Sequence, residues 1–258
     1  MQRNEAIRFI NEAALDSSLV THRRDLLNFT ADIFSRVGDE LHAVGHIFGP
    51  DRAAGISPSG HGSDEIVAVS VLLRIAGQLT SASNDLFADG RHYAAAALLR
   101  QMVEIEYLAW AFQTRSNDGA KWLRSTAEER RSFFTPAKLR KAANGKFRGE
   151  DYGHHCEFGG HPVPGSVALL KNSQTMSQLL VADLLGHTGR IWDHLVGWSA
   201  SNDWAMPLHT RQESMNSRYA AWKAADGLAS LPPPGTANPS IEGTVKGLRP
   251  SPAPHVKR

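Results

Sequence analysis

Apolar residues recur every three or four positions through most of this chain, the spacing that lines one face of a helix. Ile7, Ile10, Ala14 and Leu15 mark such a face over residues 4–20, and Leu26, Phe29, Ile33, Val37, Leu41 and Val44 continue it over 22–47. Residues 48–62 break the rhythm with two prolines and four glycines and read as a loop. Ser63 is placed to cap a helix that opens with Asp64 and Glu65, charges that suit a helix N-terminus. That helix should run toward Phe87, turn at Asp89-Gly90, and be followed by a second from about Arg91 to Phe112 returning beside it.

The punctuation further along is equally helical. Thr126-Ala-Glu-Glu129 fits a capping box, and Thr135-Pro136 fits an N-cap with proline at the first helical position. Residues 166–200 form the longest periodic stretch, with Leu169, Met176, Leu180, Leu184, Ile191, Leu195 and Trp198 near one face, and a last helix is expected over 209–229. No segment alternates apolar and polar residues as a half-buried strand would. The expected fold class is all-α, an antiparallel helical bundle: an N-terminal helical segment and loop (1–62), a main helical domain (63–230) and a tail (231–258).

Composition refines this outline at its end. Seven of the 13 prolines follow residue 230, and such a sequence cannot bury enough apolar surface to offset its ordering entropy, so the tail is expected to be disordered. At 258 residues, 41% hydrophobic and 21% charged, the rest is expected to be a soluble globular chain with a proper core. Its longest apolar runs fall short of the roughly 20 residues of a membrane helix, and no signal-peptide core follows the charged N-terminus. The single cysteine cannot form an internal disulfide, which fits a reducing, cytoplasmic setting.

Charge is distributed unevenly. The tail carries Lys246, Arg249, Lys257 and Arg258 against Glu242, or +3, so the remaining body is −1 of the total +2. Within that body, residues 121–148 hold nine Lys or Arg against Glu128 and Glu129, a local +7. A solvated pair of helix faces is the simplest reading, and a phosphate-attracting patch is the functional one.

Candidate chemistry concentrates in Tyr152-Gly-His-His-Cys-Glu-Phe-Gly-Gly-His161-Pro162, expected as a loop between helices. Three histidines, the only cysteine, a tyrosine and a carboxylate share eleven residues, with Arg148 just upstream. Imidazoles are suited to proton transfer or metal ligation near neutral pH. A second anomaly lies in the 91–112 helix, apolar nearly all round yet containing Arg100, Glu104 and Glu106. Arg100, Glu104 and Tyr107 fall on one face, and an unpaired buried charge is costly. Arg100 and Glu104 are therefore expected to pair, either as a structural tie or as a functional pair facing the histidines.

The segment Leu86-Phe-Ala-Asp-Gly-Arg-His-Tyr-Ala-Ala-Ala-Ala-Leu-Leu-Arg100-Gln-Met-Val-Glu104, followed by Tyr152, Cys156 and His161-Pro162, resembles a bacterial helical family of unknown function. That family carries Arg-x-x-x-Glu on a small-residue-rich helix, then Tyr, Ser or Cys, and His-Pro. It is similar in turn to the HEPN superfamily (higher eukaryotes and prokaryotes nucleotide-binding). The resemblance covers roughly 64–200 and makes 63–230 a HEPN-like domain; His155 stands where the pattern expects an apolar residue. It implies a metal-independent endoribonuclease of a toxin or phage-defence system, homodimerisation across the site, and an antitoxin or other partner protein. The HEPN signature, an arginine and a histidine separated by four to six residues, is met by Arg148 with His154 or His155, by Arg36 with His42, and by Arg249 with His255. With 20 arginines and 12 histidines, random placement gives about three such pairs, so the signature alone carries nothing.

For RNA cleavage, His161, His155 or His154 would serve as base or acid, with Arg100 and Arg148 stabilising phosphate charge and Glu104 and Tyr152 completing the site. The basic segment 121–148 would hold the RNA backbone. No cofactor motif is read. A zinc site from His154, His155, Cys156, Glu157, His161, Asp183 and His187 competes, but it matches no standard ligand spacing, and no metal is assigned. His42 and His46 read as polar histidines on a helix, and Cys156 beside His155 makes a poor nucleophile–base pair. The alternative to an enzyme is a non-catalytic helical binding or scaffold module whose polar cluster is structural.

Overall fold

A computed structural model describes residues 3–47, 62–171 and 173–231. Apart from Gly62 and Leu231, the expected loop at 48–62 and the expected tail at 231–258 lie outside the described residues. Every regular element among the described residues is helical: α1 (Arg3–Leu15), α2 (Ser17–Ile47), α3 (Asp64–Ala88), α4 (His92–Thr114), α5 (Asp118–Arg124), α6 (Ala127–Phe133), α7 (Pro136–Ala142), α8 (Gly149–His155), α9 (Gln174–Ser199) and α10 (Met206–Ala225). A π-helical turn (Cys156–Gly160) and a 3₁₀ segment (Pro164–Lys171) join α8 to α9, and a shorter 3₁₀ turn (Gly227–Ser230) follows α10.

The boundaries follow local chemistry. The Ser63 side chain accepts from Ile66 N–H, covering one of the donors left over at the start of α3. Thr126 and Glu129 form both bonds of a capping box on α6. Pro136 opens α7, where its missing N–H costs nothing, although Thr135 makes no side-chain cap. Between α3 and α4 the chain turns at Gly90, whose φ of 73° is readily adopted only without a Cβ. The expected 166–200 helix is divided: Pro164 opens a 3₁₀ segment, and Ser173 caps α9 afresh through Met176 N–H.

One hydrophobic cluster draws on α1, α2, α3, α4, α9 and α10. α2 lies along α3, and α4 sits between α3 and α9, consistent with its nearly all-apolar surface. Leu99, Met102, Ala109 and Ala111 of α4 are fully enclosed, as are Leu184, Leu185, Ile191 and Leu195 of α9. Burying each such leucine or isoleucine contributes about 1.5–3 kcal/mol relative to exposure. An 18-residue window of α3 has mean hydropathy 1.5, enough by length and composition to cross a membrane, but 61% of it is buried against the protein.

Chain ends are tied by a charged group that the periodicity did not disclose. Arg23 of α2, wholly buried, donates to Asp226 at 2.6 and 2.8 Å, to Gln178 Oε1 at 2.9 Å and to the Ala13 carbonyl at 2.8 Å. Trp222 Nε1–H also donates to Asp226, at 2.8 Å. Each charge is thus hydrogen-bonded on several sides, the condition under which a buried ion pair is tolerated.

A candidate site where α4 meets α8 and α9

Residues four apart on a helix share a face, and Arg100 and Glu104 of α4 pair across one turn, Nη2 to Oε1 at 2.8 Å. α8 completes the group from the opposite side. The Tyr152 hydroxyl donates to Glu104 Oε1 at 2.7 Å and accepts from Arg100 Nη2 at 2.9 Å. The three polar ends form a closed triangle, and the charged pair keeps roughly a third of its side-chain surface in solvent (28% and 33%). Burial, reinforced by the Glu104 carboxylate, pushes the Tyr152 phenol up to about 12, so it remains a donor at neutral pH. Burial alone would lower Arg100, but the bond to Tyr152 and the charge of Glu104 raise it.

A residue outside the sequence expectation joins them. Arg140 of α7 places its guanidinium 4.6 Å from the Tyr152 ring centre, while Arg100 stands 5.6 Å from it. Arg100 Nε and Arg140 Nη1 are both buried without a hydrogen-bond partner. Phe147 closes the far side against Tyr107, with ring centres 4.3 Å apart.

α8 carries a further polar side chain toward α9. His155 is buried with its Nε2 3.5 Å from Asp183 Oδ2, and its ring meets that of His187 edge-on at 5.2 Å. Burial drives His155 down to about 4, leaving it neutral at pH 7. His187 Nδ1 lies 2.6 Å from Glu106 Oε2, and Arg190 Nε donates to Glu106 Oε1 at 2.8 Å. Burial would raise the Glu106 carboxyl, but the His187 bond and the Arg190 charge outweigh it and hold it at about 2. Glu106 was visible in sequence as an acid on an apolar helix. Its partners were not, because they come from a helix 81 and 84 residues away.

Other expected site residues lie apart from this group. Tyr152 and His155 belong to α8, and Cys156–Gly160 winds as a π turn, so the histidine-rich stretch is helical rather than a loop. His161 follows the π turn in extended conformation; its N–H closes the turn on the Cys156 carbonyl at 3.1 Å, and its side chain is exposed. It shares none of the triangle's hydrogen bonds. Arg148 is the exposed N-cap of α8 and acts electrostatically on Asp151, whose carboxyl burial raises. Cys156 lies near enough to Arg100 to interact with its charge.

The π turn reaches α4 because position 159 is glycine. A Cβ there would stand 2.4 Å from the Ala96 carbonyl carbon and the Ala97 nitrogen, backbone atoms that cannot step aside. The small-residue run Ala94–Ala97 and Gly159 are therefore complementary halves of one contact.

The basic segment spreads over α5 to α7 and the start of α8. Some of its charge is already paired: Arg124 with Asp64, and Lys121 with Asp118 at 3.7 Å. Arg131, Lys138, Lys141 and Lys146 are exposed. A cavity of about 500 Å³ opens where α3 begins beside α5 and α6. Its charged lining is Asp64, Glu65 and Glu129 against Lys121 and Arg124, a balance that disfavours an anion. Compared with protein-family models, curated proteins and solved structures, the chain matches none.

Proposed function

We propose that this protein is a HEPN-like antiparallel helical module that engages RNA through the exposed cations of 121–148, with the Arg100–Glu104–Tyr152 triangle holding α8 on α4. The observation that carries this reading is the closure of the triangle on itself. Each of its three hydrogen bonds ends on another member, and His161 takes no part. A catalytic acid or base must reach the reacting atoms, and neither histidine shares a hydrogen bond with Arg100. His155 is buried on the α9 side, and His161 lies beyond the π turn. Arg131, Lys138, Lys141, Lys146 and Arg148 instead offer a surface on which phosphates can sit without any chemistry being done to them.

Endoribonuclease action, of the toxin or phage-defence kind, is the second reading, and one observation favours it. Arg100 Nε and Arg140 Nη1 are donors without acceptors beside a protonated tyrosine, an arrangement that a phosphate could complete if α8 shifted. A homodimer sharing the site, an antitoxin and a cytoplasmic location belong to this family reading. The test is incubation of purified protein with total RNA, with and without chelator, alongside His161→Ala and Arg148→Ala. The module reading expects intact RNA under every condition and salt-sensitive binding that weakens in Lys138→Glu/Lys141→Glu. Chelator-resistant cleavage lost in His161→Ala would replace it with the nuclease, and salt-insensitive or absent RNA binding would remove both.

A further inference from the structure

The four-residue rhythm that joins Arg100 to Glu104 recurs twice with another pair of residue types. Asp151 and His155 stand one turn apart on α8, and Asp183 and His187 one turn apart on α9. The helices bring His155 onto the second pair: its Nε2 is 3.5 Å from Asp183 Oδ2, and His187 Nε2 is 3.5 Å from Asp183 Oδ1. One ligand atom from each residue falls within 4.8 Å of the other two. The side chains of His155, Asp183 and His187 are 6%, 5% and 7% exposed.

Those separations suit an ion better than hydrogen bonds. Charge-assisted bonds between nitrogen and carboxylate cluster at about 2.7–2.9 Å. Asp183 Oδ2 and His187 Nε2 are both buried with no hydrogen-bond partner at all. Ligands 2.0–2.2 Å from a tetrahedral centre, by contrast, stand about 3.3–3.6 Å from one another, the distance at which each imidazole nitrogen stands from its own oxygen of Asp183.

The protonation pattern agrees. Glu106 Oε2, 2.6 Å from His187 Nδ1, can only accept, so Nδ1 carries a proton. Arg190 Nη2 stands 2.8 Å from the same nitrogen, but letting Nδ1 accept from it would set a lone pair against the Glu106 carboxylate. In the neutral ring, Nε2 therefore presents its lone pair to Asp183. Lone pair and carboxylate repel unless a cation lies between them. Glu106, itself gripped by Arg190, takes the orienting position that carboxylates hold behind metal-bound imidazoles. Charge balance leaves room for the ion, because Glu106, Asp183 and Asp151 share this region with one neighbouring guanidinium on α9, Arg190, while Arg148 and His154 act on Asp151 from α8. Asp151 Oδ1 is another buried oxygen without a hydrogen-bond partner.

We propose that His155 Nε2, Asp183 and His187 Nε2 bind one divalent transition-metal ion, with Glu106 orienting His187 and the ion pinning α8 to α9. Two imidazoles and a carboxylate, with no thiolate among the three, match zinc. No zinc spacing shows in the sequence, since His155 and Asp183 are 28 residues apart and meet only through the fold.

The experiment uses tag-free, chelator-stripped full chain, dialysed against zinc or cobalt and measured by elemental analysis and visible absorption. One ion per chain is expected, with the intense cobalt bands of four-coordination. Asp183→Asn and His187→Gln should lose it, Glu106→Gln should weaken binding by roughly 10–100-fold, and exposed His209→Ala should bind as wild type. Circular dichroism establishes that each protein is folded. If Asp183→Asn does not fold, the zinc-induced rise in the thermal midpoint is compared between wild type and His155→Gln, and only wild type should respond. A folded wild type that takes up no stoichiometric ion would overturn the proposal, as would an ion lost in His161→Ala but kept in Asp183→Asn. No readout involves RNA, so the result stands apart from the module and nuclease readings.

Discussion

Two polar groups grow from the same helix, and their carboxylates differ in access to water. The triangle of Arg100, Glu104 and Tyr152 faces α8 with about a third of its charged surface exposed. Glu106, two residues on, faces α9 with 4% exposure and meets Arg190 and His187 there. Both use an acid of α4, an arginine and a third polar side chain. In the first, solvent competes for every bond, so each is individually weak and replaceable. In the second, Glu106 and His187 are sealed from water while Arg190 still reaches it, 40% exposed, so it is the buried carboxylate that depends on its partners. A helix apolar nearly all round can thus carry one adaptable polar group and one rigid one, provided they sit on different faces.

The comparison can be broken from the rigid side first. Glu106→Ala leaves buried His187 and half-exposed Arg190 facing each other without their shared acceptor, and chemical denaturation should show a loss of about 1–3 kcal/mol. A loss under 1 kcal/mol would mean the node is wetter than its burial suggests. Acidification comes next. His155 and His194, both held near 4 by burial, bind fewer protons folded than unfolded once pH falls below about 6.5. Glu106, at about 2 instead of 4.5, extends the same imbalance lower. Stability of chelator-treated protein should therefore fall from pH 6.5 toward 4 and again from 4.5 toward 2. His194→Gln should flatten only the upper part of that profile. The smallest effect is expected at the triangle: Tyr152→Phe removes two hydrogen bonds that solvent partly replaces, and should cost about 1 kcal/mol or less. If Tyr152→Phe costs as much as Glu106→Ala, the division into adaptable and rigid groups fails.

Much of this architecture is legible in the chain because its signals are local. The Ser63 cap, the Thr126–Glu129 box, the Gly90 turn and the Arg100–Glu104 pair each depend on residues within four positions. What escapes is set by tertiary partners. Glu106 announces that a cation must arrive but not that it is Arg190, and Arg23 gives no sign that Asp226 waits 203 residues away. Tyr152 was placed with Arg100 and Glu104 by motif, yet Arg140 was not, because an arginine among eight other cations has nothing to distinguish it. The histidine-rich stretch misled in shape for a related reason. It is expected as a loop, whereas Gly159 lets helical backbone touch helical backbone.

That π turn also has an angular consequence. An ordinary α-helical continuation would carry His161 six residues beyond His155 and keep both on a predictable phase of one cylinder. Widening the turn at Cys156–Gly160 and then extending the chain at His161 resets that phase. His155 upstream answers to the interior, and His161 downstream to the surface. The segment works as a phase shifter, so the two ends of a single eleven-residue stretch can evolve under separate pressures.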